Sequence, residues 1–276
     1  MKRLSFVLFA ICFAISAMAQ TNTDWKLNQL KGKVKSLVLL ENYRYKKDGK
    51  FTEWGILYNK KYSFDNTGRY TEYVEFTNTG SLYYKIKYAY NKKENKTIVS
   101  HFDKEEKPTV KKLWSYNNKG QLTEILDYTK DNKADWRYVY TYNTNGNRIM
   151  MESYKPDSTL YSKTTYSFDA KGNETGYLLQ TPGYANSAKK YSYDDKGNKT
   201  EEIWLDGKNE ITFRFVRLYD AYGNVIEEQK YNGKDKQLDK ATWKFEYDSK
   251  GNWIKRTQYN SDGIEFDIAE RTITYY

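Results

Sequence analysis

The chain has 276 residues and a net charge of +10, from 46 Lys and Arg against 36 Asp and Glu; 17% of it is aromatic, with 29 tyrosines. One cysteine and one histidine leave no disulfide framework and no Cys/His metal spacing, and a Ser-His-Asp or Cys-His nucleophile would have to use His101, near the end of a predicted strand. Lysines and glutamates are interspersed along the whole length, which excludes a concentrated basic patch for nucleic acid and describes a solvated strand face.

Residues 1–19 read as a signal peptide. Lys2 and Arg3 precede an apolar run from Leu4 to Ile15, and Ala17-Met18-Ala19 supplies a small-x-small cleavage site after Ala19. The run is too short to span a bilayer. Cys12 lies inside it and is followed by Phe13, unlike a lipid attachment site. A secreted or periplasmic protein without disulfides is expected.

Residues 20–61 read as an N-terminal cap followed by an irregular first repeat. D-W-K-L-N-Q-L-K at 24–31 predicts a short helix with Asp24 as N-cap, Trp25, Leu27 and Leu30 as its apolar side and Gly32 ending it. A β-rich run begins at Val34, and K-K-D-G-K at 46–50 is a turn leading to a second strand through Trp54 and Ile56.

Residues 62–276 are a repeat array. Gly68, Gly120, Gly146, Gly172, Gly197, Gly223 and Gly251 recur about every 26 residues, with Glu94 in the one vacant slot. Before each stand two aromatic columns, for example Tyr62 and Phe64, Tyr140 and Tyr142, Phe245 and Tyr247. Aromatics at i and i+2 share one face of a strand. The Asp or Asn that follows bonds the backbone two residues on, and Gly supplies the positive φ that lets the chain return, so the motif is a hairpin turn. A calcium loop is the competing reading, but one carboxylate per loop is too few ligands.

A weaker second turn lies midway in each unit, as in K-D-N-K at 130–133, D-G-K at 206–208 and N-G-K at 232–234. Each unit is therefore two strands and two turns. The fold class predicted is all-β: a long antiparallel meander of 26-residue, two-strand repeats with roughly eighteen strands. Strongly twisted sheets rarely stay open and flat beyond ~10 strands, so an open sheet or shell that curls or coils is expected. One face is predicted aromatic and the other wet.

The runs F-E-Y-D-S-K-G-N at 245–252, Y-S-Y-D-D-K-G-N at 191–198 and Y-S-F-D-A-K-G-N at 166–173 resemble the YD repeats of bacterial Rhs and teneurin-like proteins. The resemblance covers about residues 60–276. It implies a β array coiling into a hollow shell at or beyond the cell surface, of a kind often labelled carbohydrate-binding. The units here are longer, and no proline-rich junction leads to a separate toxin domain.

The functional expectation is an exported, non-catalytic binding or scaffold module without cofactor or metal. Its candidate ligand-facing residues are Trp114, Tyr116, Trp136, Tyr138, Tyr140 and Tyr142, with cell-surface glycans or a surface protein as partners. Stable membrane insertion is not expected. An outer-membrane β-barrel is the rival reading, suggested by many alternating strands and the aromatic end Tyr275-Tyr276, and opposed by a weak apolar band. A glycosidase-type carboxylate pair assembled by folding is a lesser alternative. His101 is read as a solvated strand histidine.

Overall fold

The computed structural model describes residues 24–47 and 50–276; the signal peptide expected at 1–19 lies outside them. A single turn of helix, α1 (Asp24–Leu27), precedes β1 (Val34–Tyr43), a short ribbon of β2 (Lys46–Lys47) and β3 (Lys50–Phe51), and β4 (Gly55–Phe64). Then follow β5 (Tyr70–Phe76), β6 (Leu82–Asn91), β7 (Lys96–Phe102), β8 (Pro108–Tyr116), β9 (Leu122–Tyr128), β10 (Ala134–Tyr142), β11 (Arg148–Tyr154) and β12 (Leu160–Phe168). The series ends with β13 (Glu174–Gln180), β14 (Ser187–Tyr193), β15 (Lys199–Leu205), β16 (Ile211–Tyr219), β17 (Val225–Asn232), β18 (Gln237–Tyr247), β19 (Trp253–Tyr259) and β20 (Glu265–Tyr275).

Apart from the β2–β3 ribbon these strands form one 18-stranded sheet in which each strand pairs antiparallel with its neighbours in sequence. β1 pairs with β4 on one side and with β20 on the other, so the sheet closes into a barrel. The meander, the antiparallel pairing and the strand number agree with the sequence. The open sheet or shell is corrected: the ring has no edge.

Closure follows from register. Tyr62 lies opposite Tyr73 and Tyr73 opposite Ile86, two residues short of Tyr88, the repeat equivalent of Tyr62. Tyr140 leads through Met151 to Thr164, again two short of its equivalent Tyr166. The same step taken repeat after repeat tilts the strands against a common axis, and tilt is what lets a twisted sheet join its own end. Bulges supply the step; β10 and β11 slip between Thr141 and Tyr142, and β11 and β12 between Ser153 and Tyr154. Eighteen tilted strands at ~4.8 Å spacing enclose a cylinder roughly 30–35 Å across.

The turns match the motif. In the unit at Gly146 (φ 86°), the glycine N–H donates to the Asn143 carbonyl at 3.0 Å, and the Asn147 N–H donates to Asn143 Oδ1 at 2.9 Å. In the vacant slot the left-handed residue is Asn95 (φ 50°) rather than Glu94, and β6 and β7 meet through Asn91 and Lys96 without a bulge. The second turn has the same backbone, with Asn132, Asn209 and Asp235 taking the positive φ. Gly233 serves a different end: a Cβ there would stand 1.9 Å from the Ile211 carbonyl oxygen.

Residues opposite one another across the ladder share a face, so Leu37, Tyr62, Tyr73, Ile86 and His101 form one row. Along β6, Tyr84, Ile86, Tyr88 and Tyr90 are half-buried while Tyr83, Lys87, Ala89 and Asn91 are exposed. Along β20, Arg271, Ile273 and Tyr275 are half-buried and Glu270, Thr272 and Thr274 exposed. Side chains converge inside a cylinder and splay outside it, so the half-buried set lines the lumen. A small apolar cluster of Leu30, Val34, Leu37 and Phe64, packed against Trp25, Tyr62, Tyr70, Ile273 and Tyr275, sits on that wall at the rim carrying the glycine turns.

The segment 24–33 is the stopper at this rim. Its helix is shorter than predicted, and the chain turns through Gln29 (φ 55°) and Gly32 (φ 79°) into β1. Trp25 Nε1 donates to the Val34 carbonyl at 2.7 Å, and Asn252 holds Lys31 through both its backbone N–H and its carbonyl. Asp24 accepts the backbone N–H of Tyr70. It therefore ties the stopper to β5.

Candidate functional site

The lumen wall is the functional candidate, and it has two zones. Toward the stopper rim the aromatic columns are knitted to backbone. Tyr142, Tyr193 and Tyr219 donate their hydroxyls to the carbonyls of Leu122, Glu174 and Lys199 at 2.7, 2.7 and 2.6 Å, and these are the first residues of the neighbouring strands, where the bulge falls. Tyr247 and Tyr275 instead bond the turn carboxylates of Asp220 and Asp248. Burial raises the phenol pKa of Tyr116 and Tyr142, so these rings serve as neutral donors and acceptors.

Lower down the wall is ionic. Glu202 accepts from Lys189 at 2.8 Å, from Trp204 Nε1 at 2.6 Å and from Arg217 at 3.1 Å, and Arg217 also holds Glu228 at 2.7 Å. Burial opposes ionisation of Glu202, yet its bonds from Lys189 and Trp204 hold its pKa below the usual range. Arg256 bridges Glu41 at 2.5 Å and Asp267 at 2.8 Å, while Lys112 pairs with Asp127 at 2.6 Å. The expectation of one aromatic and one wet face is corrected, because the inner face changes from aromatic to ionic along its height.

The six residues singled out from the sequence do not form one platform. Trp114 meets Tyr88 edge-on at 6.1 Å, and its indole N–H is buried without a hydrogen-bond partner. The Tyr116 hydroxyl accepts from Thr97 at 3.3 Å, and Tyr142 is tied to Leu122 as above. Tyr138 and Tyr140 stand at mid-height on β10, with the Arg148 guanidinium 5.6 Å from the Tyr140 ring. Trp136 lies at the other end of the strand, edge-on to Tyr161 at 5.0 Å. At ~3.4 Å per residue the set spans roughly 20 Å of wall.

Folding does bring carboxylates together, but Glu202 and Glu228 converge on Arg217, and with Lys189 beside Glu202 two cations balance the two carboxylates. His101 is corrected from solvated to half-buried on the lumen wall; burial and then Lys112 lower its pKa to about 4, leaving it neutral. The ionic network was missed from sequence because its members lie on different strands. The only local signal is the charged residue that replaces an aromatic in a column, as Arg217 does.

The outer wall mixes charged and hydroxyl side chains with apolar ones, among them the exposed Tyr83, Ile98 and Leu218. β8 presents Lys111, Leu113 and Ser115; β10 presents Arg137, Val139 and Thr141; β18 presents Lys240, Thr242, Lys244 and Glu246. No helix among the described residues is long and apolar enough to cross a membrane.

No family model matches the sequence. No curated protein matches it either. Among solved structures the chain is similar to a porin-like protein from Bacteroides uniformis, at 12% identity over 88% of this chain and 98% of that one, with a TM-score of 0.51. A porin-like protein from Bacteroides vulgatus overlaps at 9% identity over the same shares with a TM-score of 0.35. The TcdB2-TccC3 complex overlaps at 11% identity over 82% of this chain and 17% of that one, with a TM-score of 0.20. The first is a likeness of fold; the other two overlaps are too loose to carry an argument, and the YD-repeat resemblance stays an expectation.

Proposed function

We propose that this chain is an exported, non-catalytic β-barrel of the cell envelope that stands in water and receives a small polar solute in its lumen. The observation that carries this reading is the closed eighteen-strand ring whose inner wall combines stacked rings with paired charges, a surface matched to water and polar solutes rather than to a packed core. Of the six aromatics named from the sequence, Tyr138 and Tyr140 stand at the height where a sugar ring would meet both zones.

The closed ring and the likeness of fold to a porin-like protein support an outer-membrane barrel better than a glycan-binding module. Two observations favour a barrel in water. Lys111, Arg137, Lys240 and Lys244 face outward within their strands, and a Lys or Arg at a bilayer midplane costs about 2–4 kcal/mol each. β5, β7 and β9 have 7 residues, where a membrane strand needs about 9–11, although β4, β6, β8 and β10, which alternate with them, have 9 or 10.

Size-exclusion chromatography of the mature protein in detergent-free buffer, paired with conductance in planar bilayers, tests the choice. A monodisperse, non-conducting barrel is expected. Aggregation relieved only by detergent, together with discrete conductance steps, would establish the lipid-embedded pore instead.

A further inference from the structure

Glu202, Arg217, Glu228 and Arg256 are ion-paired on the inner wall, whereas two guanidiniums there, Arg148 and Arg271, make no ion pair among the described residues; Arg148 is covered by two rings, those of Tyr140 at 5.6 Å and Tyr166 at 4.6 Å. Arg271, on β20, is half-buried below the apolar stopper with Nε and Nη1 buried and without hydrogen-bond partners. No carboxylate reaches it among the described residues. Its guanidinium lies 3.5 Å from the centre of the Trp253 ring, which covers one face of the planar group and supplies no acceptor for its N–H donors.

Two more cations lie in neighbouring register positions. Leu39 on β1 is opposite Arg271 on one side and Lys60 on the other, so the two cations flank a single leucine two strands apart. Lys60 makes no ion pair among the described residues, but its ammonium lies 3.4 Å from the centre of the Tyr58 ring; Glu75, opposite it on β5, accepts the Tyr73 hydroxyl at 2.6 Å. Arg256 spends Nη2 on Glu41 and Asp267, but its Nε is buried without a partner. Burial, and then the neighbouring Arg256, lower the pKa of Arg271. A desolvated, unpaired cation is strongly unfavourable, and a planar fork of N–H donors is matched by an oxyanion.

We infer that the lumen wall beneath the stopper carries a binding site for an oxyanion, a carboxylate, sulfate or phosphate group, held by Arg271 with the unpartnered Nε of Arg256 beside it. The site deepens the proposed function and rests on the lumen being open to solutes. It makes the preferred solute an acidic one, with the anion anchored below the stopper and the remainder extending along the wall toward Tyr73 and Tyr84.

The test is thermal melting and calorimetric titration of the mature barrel with sodium acetate, sulfate and phosphate against chloride at equal ionic strength. Sulfate and phosphate strengthen burial in any protein, so the criterion is a response that saturates at low millimolar concentration. At least one oxyanion is expected to meet it, and the anion that does identifies the group recognised. Arg271→Met should weaken binding at least tenfold while melting no lower than the parent without ligand; Arg271→Gln serves if the Met variant does not fold. Modification of Tyr140→Cys by a hydrophilic maleimide reports separately on the lumen. Labelling without any saturable oxyanion response, or an equal response in Arg271→Met, overturns the site and leaves the open vessel standing; a sealed lumen with no response removes both.

Discussion

A single backbone position shows how tightly the turns are specified. Gly146 holds φ at 86°, a region in which a β-branched side chain is strained, so Gly146→Val is expected to cost on the order of 1–2 kcal/mol in chemical denaturation. The same substitution in place of Glu94 should be nearly silent, because Asn95 carries the left-handed conformation there. His101 gives a second prediction at this scale. Its folded pKa of about 4 lies below the ordinary 6.5, so the unfolded chain binds the extra proton between those values. Stability is full above pH 6.5 and falls as the pH drops toward 4, by at most about 2 kcal/mol once solvent screening is allowed for. Urea midpoints of His101→Gln measured at pH 7.5 and 5 should differ less than those of the parent.

At the level of elements, the tyrosine columns act as ties between neighbouring strands. Tyr142→Phe keeps the ring and removes the hydroxyl bond to the Leu122 carbonyl, and a loss of about 0.5–1.5 kcal/mol in thermal or urea unfolding is expected, with similar values at Tyr193 and Tyr219. The stopper titrates in the opposite sense to His101. Burial raises the Asp24 pKa from 3.8 to about 6, so its contribution is full below the unfolded value and is lost as the pH rises through 6. Hydrogen exchange of the Leu30 amide, which donates to the Trp25 carbonyl at 2.8 Å, should therefore speed up between pH 5 and 7.5 beyond the intrinsic rate, and Asp24→Asn should remove that excess. An unchanged excess in the variant would show that Asp24 does not anchor the segment.

For the whole molecule, strand number, pairing sense and both turns were legible because each depends on residues close in sequence: the alternation in W-R-Y-V-Y-T-Y at 136–142 and the Asn143-to-Gly146 turn are complete within a few positions. Closure was not legible. It depends on the sum of small register slips around the ring and on Leu37 meeting Ile273, which no local pattern encodes. The candidate site was legible only in its aromatic half. Glu202, Arg217 and Glu228 meet across three strands, and the unpaired state of Arg271 is a property of all its neighbours at once. Because β1 is paired on both sides, Leu40→Pro should remove ladder bonds at the seam and open the ring, detectable as self-association in sedimentation.

The seam between β1 and β20 also sets the order of events in folding. Each hairpin from β4 onward can form as soon as its own two strands exist, and β1 can zip onto β4 early, but its other flank has no partner until the last strand arrives. Throughout that interval the growing sheet exposes two unsatisfied margins, one at β1 and one at the most recent strand, each able to template another chain. Chains stalled before β20 would therefore exchange margins with one another, and the shortest truncation products should be recovered as open, end-to-end polymers rather than as smaller rings.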